Sequence, residues 1–217
     1  MAVYESKKNE SQQVITGKVV KLRKGTGKAA GRLLELVVKT EVYDAQEKRA
    51  AEKEFSIACW NGEKNNLADR VEKMKIREDS DVVILAYADT DEKGGIKYNA
   101  IRVGYPGTKF EFGDEESKNT VLFGYVGSVR RSDNVCSVSI SIRDYRDGET
   151  CTDWYSVGFF NEQDGQQRAD NAEKVIKKGD LISVFGSAVK EKTIGDKTYR
   201  DISGYRFDIL KKKAENS

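Results

Sequence analysis

In one segment of this chain hydrophobic residues recur at every second position. Val138, Ile140 and Ile142 alternate with Ser137, Ser139 and Ser141, the pattern of a strand with one face buried and one in water. Residues 120–131, 154–160, 181–189 and 198–210 are also rich in β-formers and predict further strands. One stretch breaks the period: within 162–177, Ala169, Ala172, Val175 and Ile176 fall at helical spacing. Gly195 marks 193–197 as a hairpin loop. The predicted order is three strands, a helix, then two strands. The N-terminal half repeats it, with strands near 14–23, 33–43, 54–60, 82–88 and 98–104 and a helix near 64–74.

The repetition extends to the residues themselves. Residues 55–61 (FSIACWN) answer to 155–161 (YSVGFFN), 68–74 (ADRVEKM) to 169–175 (ADNAEKV), and 17–23 (GKVVKLR) to 124–130 (GYVGSVR). Tyr98 with Tyr199, Ile101 with Ile202, and Gly104-Tyr105 with Gly204-Tyr205 carry the alignment through the last strand. Blocks in one order at near-constant spacing indicate a duplication. The expected domains are 13–105 and 119–210. Between them, 106–118 holds the only proline and a short acidic run and reads as a linker; the polar ends, 1–12 and 211–217, read as frayed. The element order is that of the five-stranded oligonucleotide/oligosaccharide-binding (OB) barrel. The fold prediction is all-β with one short helix per domain, as two tandem OB-fold barrels.

Composition narrows the chemistry. The chain has 217 residues, with 38 Lys and Arg against 36 Asp and Glu, so any nucleic-acid binding must rest on local patches, not a global basic field. Histidine is absent, which excludes Ser-His-Asp and Cys-His catalysis. Cys59, Cys136 and Cys151 show no CxxC spacing and are too few for a four-ligand zinc site; they indicate a reducing, cytoplasmic setting. No apolar run approaches ~18 residues and the N-terminus lacks a signal-peptide core, so no membrane association is expected. Residues 25–30 (GTGKAA) fit a loose dinucleotide pattern, but a strand follows where a helix is needed, so they read as a hairpin loop. No cofactor and no enzymatic activity are expected.

Through 152–160 (TDWYSVGFF), 178–186 (KGDLISVFG) and 195–199 (GDKTY), the second repeat resembles bacterial single-stranded DNA-binding proteins. The first repeat resembles the family only through the second, and its lysine-glycine turn has become 78–81 (EDSD). The resemblance implies sequence-independent binding of single-stranded DNA in replication, recombination or repair.

Strand alternation puts Trp154, Ser156, Gly158 and Phe160 on one face and Tyr155, Val157 and Phe159 inside. Trp154 and Phe160 then form one flat stacking platform, or pack against the partner repeat or a second subunit. Trp60 stands opposite Phe160 in the alignment and is a further stacking candidate, but Glu54 stands opposite Trp154, so the second repeat is expected to carry most of the binding. Arg130, Arg131, Arg143, Arg146, Lys190 and Lys192, with Lys18, Lys21 and Arg23 in the first repeat, are candidates for phosphate neutralisation. Tyr145 is a further stack or a loop anchor, and Tyr98 and Tyr199 are expected as core tyrosines at equivalent hairpin positions. The resemblance also implies a homodimer presenting four barrels, with Phe110 and Phe112 as outward apolar residues needing cover. The chain stops at 211–217 (KKKAENS) without an acidic tip, so recruitment of repair enzymes by that route is not expected. The alternative reading is a structural or protein-interaction module that has lost DNA binding.

Overall fold

The computed structural model describes residues 3–6, 9–44, 49–62, 65–90, 95–113, 118–146, 149–161 and 167–213. The chain divides into two compact units, Met1–Tyr105 and Pro106–Ser217. The first contains β1 (Val3–Ser6), β2 (Asn9–Lys24), β3 (Leu33–Asp44), β4 (Arg49–Trp60), α1 (Leu67–Lys73), β5 (Asp81–Thr90) and β6 (Ile96–Gly104). The second contains β7 (Thr108–Phe112), β8 (Asn119–Ser132), β9 (Val135–Arg146), β10 (Glu149–Phe160), α2 (Arg168–Val175), β11 (Leu181–Ser187), β12 (Lys190–Ile194) and β13 (Lys197–Lys211).

Both sheets close on themselves. In the first unit β2 pairs β3, β3 pairs β4, β4 pairs β6 in parallel, β6 pairs β5, and β5 returns to β2. The second repeats the circuit as β8, β9, β10, β13, β11 and back to β8, again with one parallel pairing, β10 to β13. These are two OB-fold barrels. Alternation fills each interior: Val138, Ile140, Tyr155, Val157 and Phe159 are buried in one core, Leu36, Val38, Phe55, Ile57 and Cys59 in the other. Each such side chain contributes roughly 1.5–3 kcal/mol by leaving water. All three cysteines are free, and burial pushes the Cys59 thiol up to about 12.

The asparagine ending each third strand has a structural task. Asn161 Oδ1 accepts the N–H groups of Ala169 and Asp170 at 2.9 and 3.3 Å, and Asn61 Oδ1 accepts that of Asp69 at 3.2 Å. Each satisfies the start of a short helix whose own cap residue makes no such bond. The far side of the helix is tied to the first strand of its barrel. Arg131 meets Asp170 and Glu173 at 2.6 and 3.3 Å, and Lys24 meets Glu72 at 2.9 Å.

Several expectations are corrected. Residues 106–118 are not simply a linker: β7 pairs with β8, filling the edge that β9 leaves. Phe110 and Phe112 are buried, and Phe112 meets the Phe185 ring at 5.7 Å between centroids, so neither is an outward residue awaiting cover. β1 pairs with β2 in the same manner, although 1–12 were expected to fray. Each repeat thus opens with one strand more than its sequence suggests.

The last strands are also out of step with the alignment. Ile57 faces Tyr98 where Val157 faces Ile202, and Ala86 faces Ala100 where Gly186 faces Gly204. Tyr98 therefore corresponds to Ile202, because the β5–β6 hairpin is shorter than its counterpart. Tyr98 packs on the core with its ring edge-on to Phe55 at 5.2 Å, whereas Tyr199 is exposed. Residues 27–29 form a 3-10 turn between β2 and β3, without the helix a pyrophosphate site needs. No helix among the described residues is long and apolar enough to cross a membrane.

Candidate nucleic-acid interface

The face in question is built across β8, β9 and β10. Ladder register sets its rows: Trp154–Ser141–Tyr125, then Ser156–Ser139–Ser128, then Gly158–Ser137–Arg130, then Phe160–Val135–Ser132. Side chains in one row share a face, and the burial agrees. Trp154 is 52% exposed, Phe160 47% and Tyr125 44%, while Tyr155, Val157 and Phe159 between them are buried.

A bulge seats the tryptophan. Between Val126 and Ser128 the β8 register slips, leaving Gly127 as the extra residue. The turn before β11 pins this bulge: Val126 N–H donates to the Asp180 carbonyl at 2.9 Å, and Gly179 N–H donates to the Val126 carbonyl at 2.8 Å. Gly179 has φ +92, a left-handed conformation suited to glycine. The Asp180 carboxylate sits buried beneath, accepting the N–H groups of Lys177 and Lys213 and the Lys212 ammonium at 2.9, 3.0 and 3.0 Å. Burial alone would raise its pKa; these donors prevail and hold it below the ordinary carboxylate value. The indole of Trp154 lies over Gly127, where a Cβ would sit 2.8 Å from Cη2 and closer still to Cζ3.

Phe160 leans back in the same way, with its ring 3.0 Å from a Cβ placed on Gly158. Trp154 and Phe160 are six residues apart, roughly 20 Å along the strand at ~3.3 Å per residue. They are two separate exposed rings rather than one flat platform, with serines and glycines as the floor between them. On the outer face of these three strands the described charged residues are Arg130 and Arg143, with no carboxylate among them.

The remaining candidates sort by position. Arg130 is exposed, in the row that Phe160 leans toward. Arg143 is exposed one pleat beyond Ser141, its stem packed over Gly107. Arg131 is corrected: its parity turns it away, and Asp170 and Glu173 occupy its guanidinium. Lys190 and Lys192 are exposed on β12, opposite Asp201 and Tyr199. Arg200 clasps that hairpin to the barrel, meeting Glu191 at 3.0 Å and Asp153 at 3.2 Å. The side chains of Tyr145 and Arg146 lie outside the described residues.

Tyr125 and Tyr199 were missed. Alternation with buried Val126 was the available signal for Tyr125. Tyr199 stands two residues before Asp201, which pairs with Ser156, so the register carries it to the level of Trp154. The false alignment with Tyr98 hid it.

The equivalent face of the first barrel differs in charge and floor. Glu54 holds the Trp154 position, facing Lys39 as Trp154 faces Ser141. Val20 replaces Gly127 in the bulge, and Val37 and Glu35 replace Ser139 and Ser137. Three of its cations are engaged, Arg23 with Glu35 at 3.2 Å, Lys39 with Glu52 at 2.7 Å and Lys18 with Asp81 at 3.5 Å, while Lys21 is exposed. Glu35 also accepts the Ser56 hydroxyl. Trp60 is 43% exposed, but its Nε1 donates to Asn99 Oδ1 on β6 at 3.2 Å.

Each unit is thus an OB-fold domain; among the described residues, the second sets exposed aromatics beside Arg130 and Arg143 on its first three barrel strands, whereas most cations on the equivalent face of the first are ion-paired. No protein-family model and no curated protein matches the chain. Among solved structures, a Plasmodium falciparum SSB in complex with ssDNA matches 47% of this chain and 100% of its own, at 19% identity and TM-score 0.32. A small single-stranded DNA-binding protein from Streptomyces coelicolor matches 48% of this chain and 84% of its own, at 14% identity and TM-score 0.23.

Proposed function

We propose that the chain binds single-stranded DNA without reading its sequence, through the β8–β9–β10 face, as a non-enzymatic cytoplasmic protein of replication, recombination or repair. One observation carries this reading. Tyr125, Trp154 and Phe160 stand exposed over a serine-glycine floor free of carboxylates, with Arg130 and Arg143 beside them. Exposed rings take base faces at ~1–3 kcal/mol each irrespective of sequence. Small floor residues let the sugar-phosphate chain approach, and the arginines neutralise phosphates. Lys190, Lys192 and Tyr199 extend the surface along the hairpin.

The test is a titration with oligo-dT at several salt concentrations, following tryptophan emission. The expected result is quenching with affinity that falls as salt rises; neither quenching nor retardation at low salt would refute the reading. For the first barrel, the ion-paired face favours the second reading, a domain that has lost DNA binding there. Assembly as a homodimer remains part of the proposal. Its physical support is the free edge of β12, which pairs only with β13 among the described residues and exposes Ile194. Light scattering that returns a monomer mass at micromolar concentration would refute it.

A further inference from the structure

We propose that the first barrel carries its own base-stacking site on a different face, across β4, β6 and β5, formed by Trp60, Asn99 and Tyr87. The proposal rests on the single-stranded DNA reading above and places a contact where that reading has none. Parallel pairing sets Asn99 beside Ala58, and antiparallel pairing sets Tyr87 opposite Asn99. Ala58 and Trp60 share the outer parity of β4, so all four side chains stand on one face. The buried neighbours Ile57, Cys59 and Ala86 confirm that parity.

Trp60 does not lean back along its own strand as Phe160 does. Its Nε1 donates to Asn99 Oδ1 at 3.2 Å, which fixes the indole toward β6. Trp60 is 43% and Tyr87 41% exposed. Two rings with an amide between them are what a nucleobase requires: a π surface on each side and a polar group within reach of its edge.

The second barrel has no counterpart. There Asn99 is replaced by Ser203 and Tyr87 by Ser187, by the register of the parallel and hairpin pairings. Both barrels thus expose a ring at the Trp60/Phe160 position, but only in the first do a tyrosine and an amide stand beside it on the neighbouring strands where the second has serines. Size argues for a base over a protein partner. Aromatic side chains span ~150–250 Å² each, so two rings under half exposed offer on the order of 200 Å², against ~800 Å² per partner in a stable interface.

The two tryptophans allow each barrel to be read separately. In Trp154→Phe the only indole is Trp60, and in Trp60→Phe it is Trp154. Short oligo-dT is expected to quench Trp60 in the first variant. Adding Tyr87→Ala should weaken the Trp60-reported affinity about 5- to 150-fold, the ratio one lost stack gives, with the melting temperature checked alongside. Asn99→Ala should free the indole and weaken it too. Quenching of Trp154 with no response from Trp60 overturns this inference and leaves the second-barrel reading standing. Silence from both indoles overturns both. Trp60 quenching indifferent to Tyr87→Ala and Asn99→Ala overturns the site's composition. A dimer mass that Trp60→Ala reduces to a monomer would assign the patch to self-association instead.

Discussion

At the scale of single residues, Gly127 decides whether Trp154 can serve. A side chain there would fall inside the indole's own contact distance, so Gly127→Val should displace the ring. The expected outcome is a shift of Trp154 emission and a loss of oligo-dT affinity approaching that of Trp154→Ala, about 1–3 kcal/mol. Unchanged affinity would show that the ring binds in another pose. Asp180 supports the same bulge from below. Its folded pKa is depressed, so its contribution is present above the unfolded value of ~3.9 and is lost as pH falls through the folded pKa. Asp180→Asn should cost about 1–3 kcal/mol of stability at neutral pH. Thermal melts of both proteins should converge as pH drops below ~4. A difference constant over that range would mean the carboxylate's charge plays no part. The neighbouring arginines separate by parity. Arg131→Ala should lower the melting temperature with little change in binding. Arg130→Ala should do the reverse and reduce the steepness of the salt dependence by about one phosphate's worth.

Among the elements, the first three barrel strands were the legible ones. Their hydrophobic residues alternate because one face fills a barrel, and Ser137, Ser139 and Ser141 showed the outer face directly. The face assignment of Trp154 and Phe160 followed from that alternation alone. What stayed hidden involves pairing between distant strands. Nothing local says that Phe110 pairs with Val121, so β7 read as linker. Hairpin length is likewise free to change without altering either flanking pattern, and a chance tyrosine match aligned Tyr98 with Tyr199 in place of Ile202. The bulge at Gly127 was unreadable for the same reason, and it changes an obvious design. Placing a tryptophan at Glu54 looks sufficient to restore a stacking station in the first barrel. Val20 occupies the bulge there, and Arg23 and Glu35 bridge the floor. Glu54→Trp alone should therefore leave affinity nearly unchanged, while Glu54→Trp with Val20→Gly should tighten oligo-dT binding. Tightening by the single substitution would show that the indole finds another seat.

For the whole molecule, the duplicated barrel offers two scaffolds that have diverged in what they leave exposed. The near-neutral net charge hid this, because it sums a face holding Arg130 and Arg143 with one on which Glu35, Glu41, Glu52 and Glu54 balance Lys18, Lys21, Arg23 and Lys39. Long-range attraction by the molecule as a whole is consequently weak, and binding depends on charges within about a Debye length of the strand, ~8 Å at physiological salt. The measurement that bears most directly on this account is oligo-dT titration of Trp60→Phe, in which Trp154 is the only indole, at a series of salt concentrations. The account predicts saturable quenching of Trp154 and a log-log salt slope of one to three phosphates, matching the few cations on the face. Retardation of oligo-dT with Trp154 emission unchanged would contradict it, because binding would then lie away from the β8–β9–β10 face.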